Sequence, residues 1–259
     1  MTDLHLARHV TGGDPVLLLL HGLGATGEVW HGLLERNWPA EVIAPDLPGH
    51  GRSPRLPAYT FDSMAASVAT LLEPGRKVVV LGHSLGGVLA LTLAGGAYGV
   101  DVTAACGVGI KLRWSAAELA KAAELAARPE RLFATRAEAV DRWLKVSGLA
   151  GLVPADSRRV DAGVQEVSGV AEGWRVRVDP RAFGVGAPDV PALLAAAKGE
   201  TILTAGQHDP MSPRDVLLEV APDATVLPGV GHNAHVENPL SLWPILDRLL
   251  ASATAHLGR

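Results

Sequence analysis

The sequence predicts an α/β fold, a mostly parallel sheet flanked by helices. Three observations carry that expectation. Short apolar runs recur along the chain, each ending in Gly, Asp or His. Segments of helical length separate them, the alternation of βαβ units. The runs are continuously apolar rather than alternating, as strands buried on both faces are.

The N-terminal segment Leu4–His9 reads as a first strand, followed at once by the turn "TGGDP". The buried strands are Val16–Leu20, Val42–Ala44, Lys77–Leu81, Val102–Val108 and Thr201–Ala205, with a weaker one at Thr225–Leu227. Helices are expected at Phe61–Leu72, Leu85–Ala97 and Pro239–Ala251. From about Lys111 to Asp189 the rhythm breaks and no buried strand is expected. Amphipathic patterns there predict helices over Ser115–Ala127, Arg136–Val146 and Asp156–Val167. Ser115 followed by Glu118 fits a capping box opening the first. Helices lying between two sheet strands predict a cap over the C-terminal edge of the sheet, where open α/β sheets bind ligands. The expected organisation is a core over 1–110, a helical cap over 111–189 and the rest of the core over 190–259.

The bulk properties narrow the function classes. The chain has 259 residues and a net charge of −4, which leaves no basic footprint for nucleic acid. The N-terminus has no apolar secretory core, and the longest apolar runs are too short to span a bilayer. The single cysteine, Cys106, rules out an internal disulfide and lies in the apolar stretch "TAACGVGI", where a small core residue is expected. The expectation is a cytoplasmic protein acting on a small molecule, with no nucleic-acid or membrane partner.

Every candidate catalytic residue follows a predicted strand, so all converge on one edge of a parallel sheet. Ser84 follows Lys77–Leu81 within Gly82-His83-Ser84-Leu85-Gly86-Gly87. Strand–Gly-x-Ser-x-Gly–helix is the arrangement that lifts a nucleophilic serine above a sheet on a sharp turn. By itself the pattern also suits a close-packed turn between strand and helix. A serine hydroxyl further needs a base, and the base needs an orienting group. His232, after Thr225–Leu227, is the candidate base; Asp209, after Thr201–Ala205, is the candidate acid. The order Ser…Asp…His is the one this kind of site uses. His235 is the nearest rival base, with a packing or capping role expected instead. His83 and His208 adjoin candidate catalytic residues, but neighbouring side chains tend to point apart. Asp46, before the serine in "DLPGHGRS", reads as a structural turn residue. Oxyanion donors are expected from the backbone N–H groups of Leu85, next to the serine, and Leu23, in "HGLG" after the first buried strand.

These segments resemble the α/β-hydrolase superfamily. "LLLLHGLGATGEVW", "VIAPDLPGHGRSP", "VVVLGHSLGGVLAL", "ILTAGQHDPMSP" and "PGVGHNAHVENP" fall in the family's order. The resemblance implies an eight-stranded sheet with helices on both faces and a cap after its sixth strand. The short N-terminal start leaves seven to eight strands. It implies Ser84 as nucleophile, Asp209 as acid, His232 as base, and Leu23 and Leu85 as oxyanion donors. It implies no metal or organic cofactor. Serine at position 84 argues against haloalkane dehalogenases and epoxide hydrolases, which carry aspartate there.

The expected activity is hydrolysis of a small or medium carboxylic ester, lactone or thioester, since the sheet portion is similar to small carboxylesterases and lactonases such as pimeloyl-ester carboxylesterases. The alternatives are hydrolysis of a carbon–carbon bond in a ring-cleavage dienoate and a ligand receptor on the same fold. Arg113 is available for a dienoate carboxylate, although a solvated surface arginine is the plainer reading. Trp114, Phe133, Trp143 and Trp174 are the expected pocket-lining residues, with Leu144 and Leu149 also available. About half of these bulky residues are expected to pack cap against core instead. The stretch "FGVGAPDVP", Phe183 to Pro191, reads as the return from cap to sheet near the pocket mouth.

Overall fold

A computed structural model describes residues 3–169 and 172–255. Its main sheet has seven strands in the order β1-β3-β2-β4-β5-β8-β9. The chain begins with β1 (Leu6–Val10) and β2 (Val16–Leu20), passes through two 3-10 turns, and continues with β3 (Val42–Pro45) and helix α1 (Phe61–Ala69). They lead into β4 (Lys77–His83), α2 (Leu85–Ala94) and β5 (Asp101–Val108). After an intervening segment come α5 (Val190–Ala196), β8 (Glu200–Gly206), α6 (Arg214–Val220) and β9 (Thr225–Leu227). The short α7 (Ala234–Glu237) and the long α8 (Trp243–Ala255) close the chain. Only β1 runs antiparallel, against β3; the other pairings in this sheet are parallel.

Successive side chains of a strand point to opposite faces. That geometry explains the unbroken apolar run of β2. Leu17 and Leu19 pack with Val79, Leu81, Cys106 and the α8 residues Leu246 and Leu249. Val16, Leu18 and Leu20 pack on the other side with Val78, Val80, Met64 of α1 and Leu89 of α2. Each buried leucine contributes about 1.5–3 kcal/mol, so two covered faces hold the central strands firmly. Cys106 is part of that core, and burial pushes its thiol pKa up.

The segment between β5 and α5 contains α3 (Ala116–Ala126) and α4 (Arg136–Val146). Both open on capping boxes, Ser115 with Glu118 and Thr135 with Glu138. The expected third helix, Asp156–Val167, is absent. A 3-10 turn over Arg158–Ala162 leads instead into β6 (Val164–Val167), which pairs antiparallel with β7 (Gly173–Val176). The helical pattern loses because Gly163 interrupts it, and β6 opens on the buried Val164 that follows. This hairpin is separate from the main sheet and mostly half-buried, so the interval adds two short strands without a buried strand of the main sheet. The predicted Pro239–Ala251 helix starts late, because Pro239–Leu242 forms a 3-10 turn before α8. Among the described residues no helix is long and apolar enough to cross a membrane.

Candidate active site

Ser84 sits between β4 and α2 with φ 49° and ψ −113°, the one non-glycine of positive φ among the described residues. Its N–H donates to the Val108 carbonyl at 2.8 Å, and its own carbonyl accepts from Val88 N–H at 3.1 Å. These bonds fix the turn at both ends. A Cβ on Gly82 would lie 2.0 Å from the Gly86 carbonyl oxygen, and one on Gly86 would lie 2.2 Å from that of Leu20. Strand and helix approach this closely only because both residues are glycine. Leu85 is the first residue of α2, where helix N–H groups lack intrahelical acceptors.

His232 follows β9, and its Nδ1–H donates to the Asp209 carboxylate, 3.0 Å from Oδ2 and 3.1 Å from Oδ1. Asp209 is buried and also accepts from the N–H groups of Met211 at 2.8 Å and Ser212 at 3.3 Å. With Nδ1 engaged, Nε2 is the nitrogen left to act as a base. Gly109, after β5, comes so close that a Cβ there would stand 2.9 Å from Asp209 Oδ2. Its φ of 61° also favours glycine. Sequence reasoning did not single it out, since "GVGIK" carries no polar residue to flag it.

Ser84 and His232 line one cavity of about 330 Å³, together with Leu23 and Leu85. Val88, Val146, Met211 and Phe183 give it apolar walls, while Lys111 and Lys145 contribute cationic side chains. Among the described residues no group of three or more His, Cys, Asp and Glu is placed to hold a metal ion.

Residues 17–242 match the model of the alpha/beta hydrolase family. The chain belongs to the alpha/beta hydrolase family. Lipase LipV of Mycobacterium tuberculosis is 40% identical over 94 residues, 36% of this chain and 36% of the lipase. The matches to this and the next curated relatives span about a third or less of those proteins' lengths. The 2-succinyl-6-hydroxy-2,4-cyclohexadiene-1-carboxylate synthase of Escherichia coli is 26% identical over 252 residues, covering 94% of this chain and 97% of the synthase. Among solved structures, E-2-(acetamidomethylene)succinate hydrolase superposes with a TM-score of 0.73 at 22% identity, over 94% of this chain and 98% of that one.

In this alpha/beta hydrolase His21, His50, His83 and His235 are interior groups, whereas His208, beside Asp209, is exposed. His83 is buried between His232 and His235, with ring centroids 4.7 and 4.2 Å apart, and its Nε2–H donates to the His232 carbonyl at 2.9 Å. Burial, with the neighbouring histidines, holds its pKa well below the usual value. His235 is buried against Trp30, and burial lowers its pKa to about 3. His21 accepts from Leu47 N–H through Nε2 at 2.8 Å and donates from Nδ1 to the Gly22 carbonyl, fixing the "HGLG" loop. Asp46 is fully buried and accepts from the N–H groups of Gly27 and Arg52, both at 2.9 Å, as a turn-holding residue does.

The expected pocket residues divide. Trp114 lines the catalytic cavity, and so do Phe183, Val185, Gly186 and Pro188 of the return stretch. Trp143, Phe133 and Trp174 do not. Trp143 lies on the inward face of α4, 1% exposed, and its Nε1–H donates to the Gly24 carbonyl at 2.9 Å. Phe133 pairs with Trp174 of β7 through an isolated antiparallel bridge. Leu144 and Leu149 are core residues. The α4 residues at the cavity are Lys145 and Val146 at its C-terminal end, a placement that depends on helix orientation, which apolar character alone does not signal. Val88 was within reach of sequence reasoning, since it lies four residues after Ser84 on the same helix face. Arg113 is exposed and paired with Glu219 at 2.5 Å, a surface role.

Proposed function

We propose that the protein hydrolyses a small or medium carboxylic ester, including lactones and thioesters, through a covalent acyl-enzyme. The observation that carries this reading is that His232, hydrogen-bonded to the buried Asp209, lines the same cavity as a serine raised on a turn of positive φ. Ser84 Oγ attacks the substrate carbonyl carbon while His232 Nε2 takes the hydroxyl proton. Asp209 keeps the Nδ1–H tautomer and stabilises the imidazolium. The oxyanion that forms accepts from the N–H groups of Leu23 and Leu85, each donor being worth about 100–1,000-fold in rate. Collapse expels the alcohol, which takes the proton from His232. A water then attacks the acyl-Ser84 ester, again giving its proton to His232, and collapse returns that proton to Ser84 Oγ as the acid leaves. The segment 111–189 acts as a cap that contributes Trp114 and Val146 to the cavity and sets which esters fit.

A second reading is favoured by one observation. The relative matched over nearly the whole chain is named as a synthase of a cyclohexadiene carboxylate, not as an esterase. In such a reaction His232 would serve as a base on carbon, and Ser84 would not become acylated.

A serine-directed organophosphonate separates the two when combined with turnover. One adduct per chain, located on the peptide carrying Ser84, together with hydrolysis of p-nitrophenyl esters, is the expected result. An adduct elsewhere, or labelling of Ser84 without turnover of any ester, would overturn the ester reading.

A further inference from the structure

Behind the wall that Val146 and Phe183 give to the catalytic cavity lies a second, larger cavity. It has a volume of about 870 Å³, and Val146 and Phe183 line it as well. The two chambers therefore share a partition of two apolar side chains, one at the end of α4 and one in the return stretch.

The second chamber is apolar inside, through Phe133, Val176 and Val178, and cationic at its charged positions. Arg128, Arg131, Arg142 and Arg175 line it against a single carboxylate, Glu130. Glu130 is already engaged by Arg55 and lies 3.6 Å from Arg175. Arg175 further donates to Gln165 Oε1 at 2.9 Å, and Arg128 pairs with Glu124. Arg131 stacks its guanidinium over the Phe133 ring at 4.9 Å. Among the described residues no carboxylate pairs with Arg131 or Arg142. This excess of positive charge stands on a chain whose net charge is −4, so it does not reflect a basic protein. The catalytic cavity differs: its two lysines, Lys111 and Lys145, are already paired with Glu118 and Asp141.

We propose that the second chamber is the distal end of the substrate site and binds an anionic group, carboxylate or phosphate, at the far end of the acyl chain. The chain itself lies against Val146 and Phe183, with its ester carbonyl at Ser84. Arg142 and Arg131 receive the anion, because a guanidinium fork matches either oxyanion in a bidentate way. The inference rests on the ester-hydrolase reading and adds its substrate class.

The test uses p-nitrophenyl esters matched in acyl length and ending in a methyl, a carboxylate or a phosphate group. At low salt, kcat/KM for an anion-terminated ester is expected to exceed that for the methyl-terminated one by about tenfold or more, the scale of one charge-assisted hydrogen bond. Whichever anion gains more identifies the terminal group. Arg142→Gln should bring the ratio of anionic to neutral kcat/KM towards one, chiefly through KM, and Arg131→Gln should reduce it. Added salt should shrink the ratio in the full-length wild-type protein. A wild-type ratio near one for both anions overturns the proposal, and so does a ratio unchanged in both variants. If no ester is turned over, the ester reading fails separately. Calorimetry on Ser84→Ala with monomethyl octanedioate and methyl octanoate then decides the anion site. Tighter binding of the half-acid, lost in Ser84→Ala/Arg142→Gln, supports the site; equal binding of both ligands overturns it.

Discussion

Ser84 holds its hydroxyl in the cavity at the expense of backbone energy. A non-glycine residue at φ 49°, ψ −113° is held in a sparsely populated region that costs about 1–3 kcal/mol. Ser84→Gly should relieve that strain, whereas Ser84→Ala should keep it. In urea unfolding, the glycine variant is expected to have the higher midpoint, by about 1 kcal/mol relative to alanine. A midpoint equal to or below that of alanine would show that the turn is unstrained. Both variants should lose turnover by several orders of magnitude. The candidate triad was legible at this scale because its chemistry leaves a local mark: two glycines around one serine, then Asp209 and His232 after later strands. The pocket wall left no such mark. Trp143 and Trp114 are the same residue type, each preceded by an arginine, yet one is core on α4 and the other, just before α3, lines the cavity, a difference the local sequence does not mark.

Helix α4 does more than fill space above the sheet edge. The indole of Trp143 reaches the Gly24 carbonyl, one residue from the proposed oxyanion donor Leu23. Trp143→Phe keeps most of the apolar volume and removes only the donor. It should cost about 1–3 kcal/mol of stability, the range for leaving a buried acceptor unpaired. It should also lower kcat more than it raises KM, because the loop carrying Leu23 loses an anchor. Unchanged kcat alongside reduced stability would make the contact purely structural. Elements with strong end signals were readable. Ser115 and Glu118 announced α3, and the Gly-x-Ser-x-Gly run announced the turn from β4 into α2. The β6–β7 hairpin was not, because its four-residue strands carry no clean alternation to set against the helical character of their neighbours.

At the scale of the whole molecule, several buried histidines make stability depend on acid. Burial lowers the pKa of His21 to about 4 and of His50 and His235 to about 3, against an ordinary value of 6.5. The unfolded chain takes up these protons first. Folding stability should therefore be intact above 6.5 and fall as pH drops through 6.5 towards those lowered values. In that window each histidine contributes a slope of about 1.4 kcal/mol per pH unit. Urea midpoints measured from pH 7.5 down to 5 should decline steeply. His235→Phe should make the decline shallower; a flat profile in the wild type would mean these rings are hydrated. The sheet itself was readable from its apolar runs, since burial on both faces forces continuous hydrophobicity. Its strand number was not, as only pairing shows that the N-terminal segment adds one antiparallel strand to give seven.

The hydrogen bond from His83 to the His232 carbonyl has a dynamic consequence. The residue immediately before the serine grips the backbone of the histidine, so thermal displacement of the end of β4 carries Ser84 and His232 in the same direction. Breathing of the sheet then becomes correlated motion, and the separation between serine and histidine fluctuates less than the position of either. Relaxation measurements on the His232 ring before and after removal of the His83 side chain would read that correlation directly.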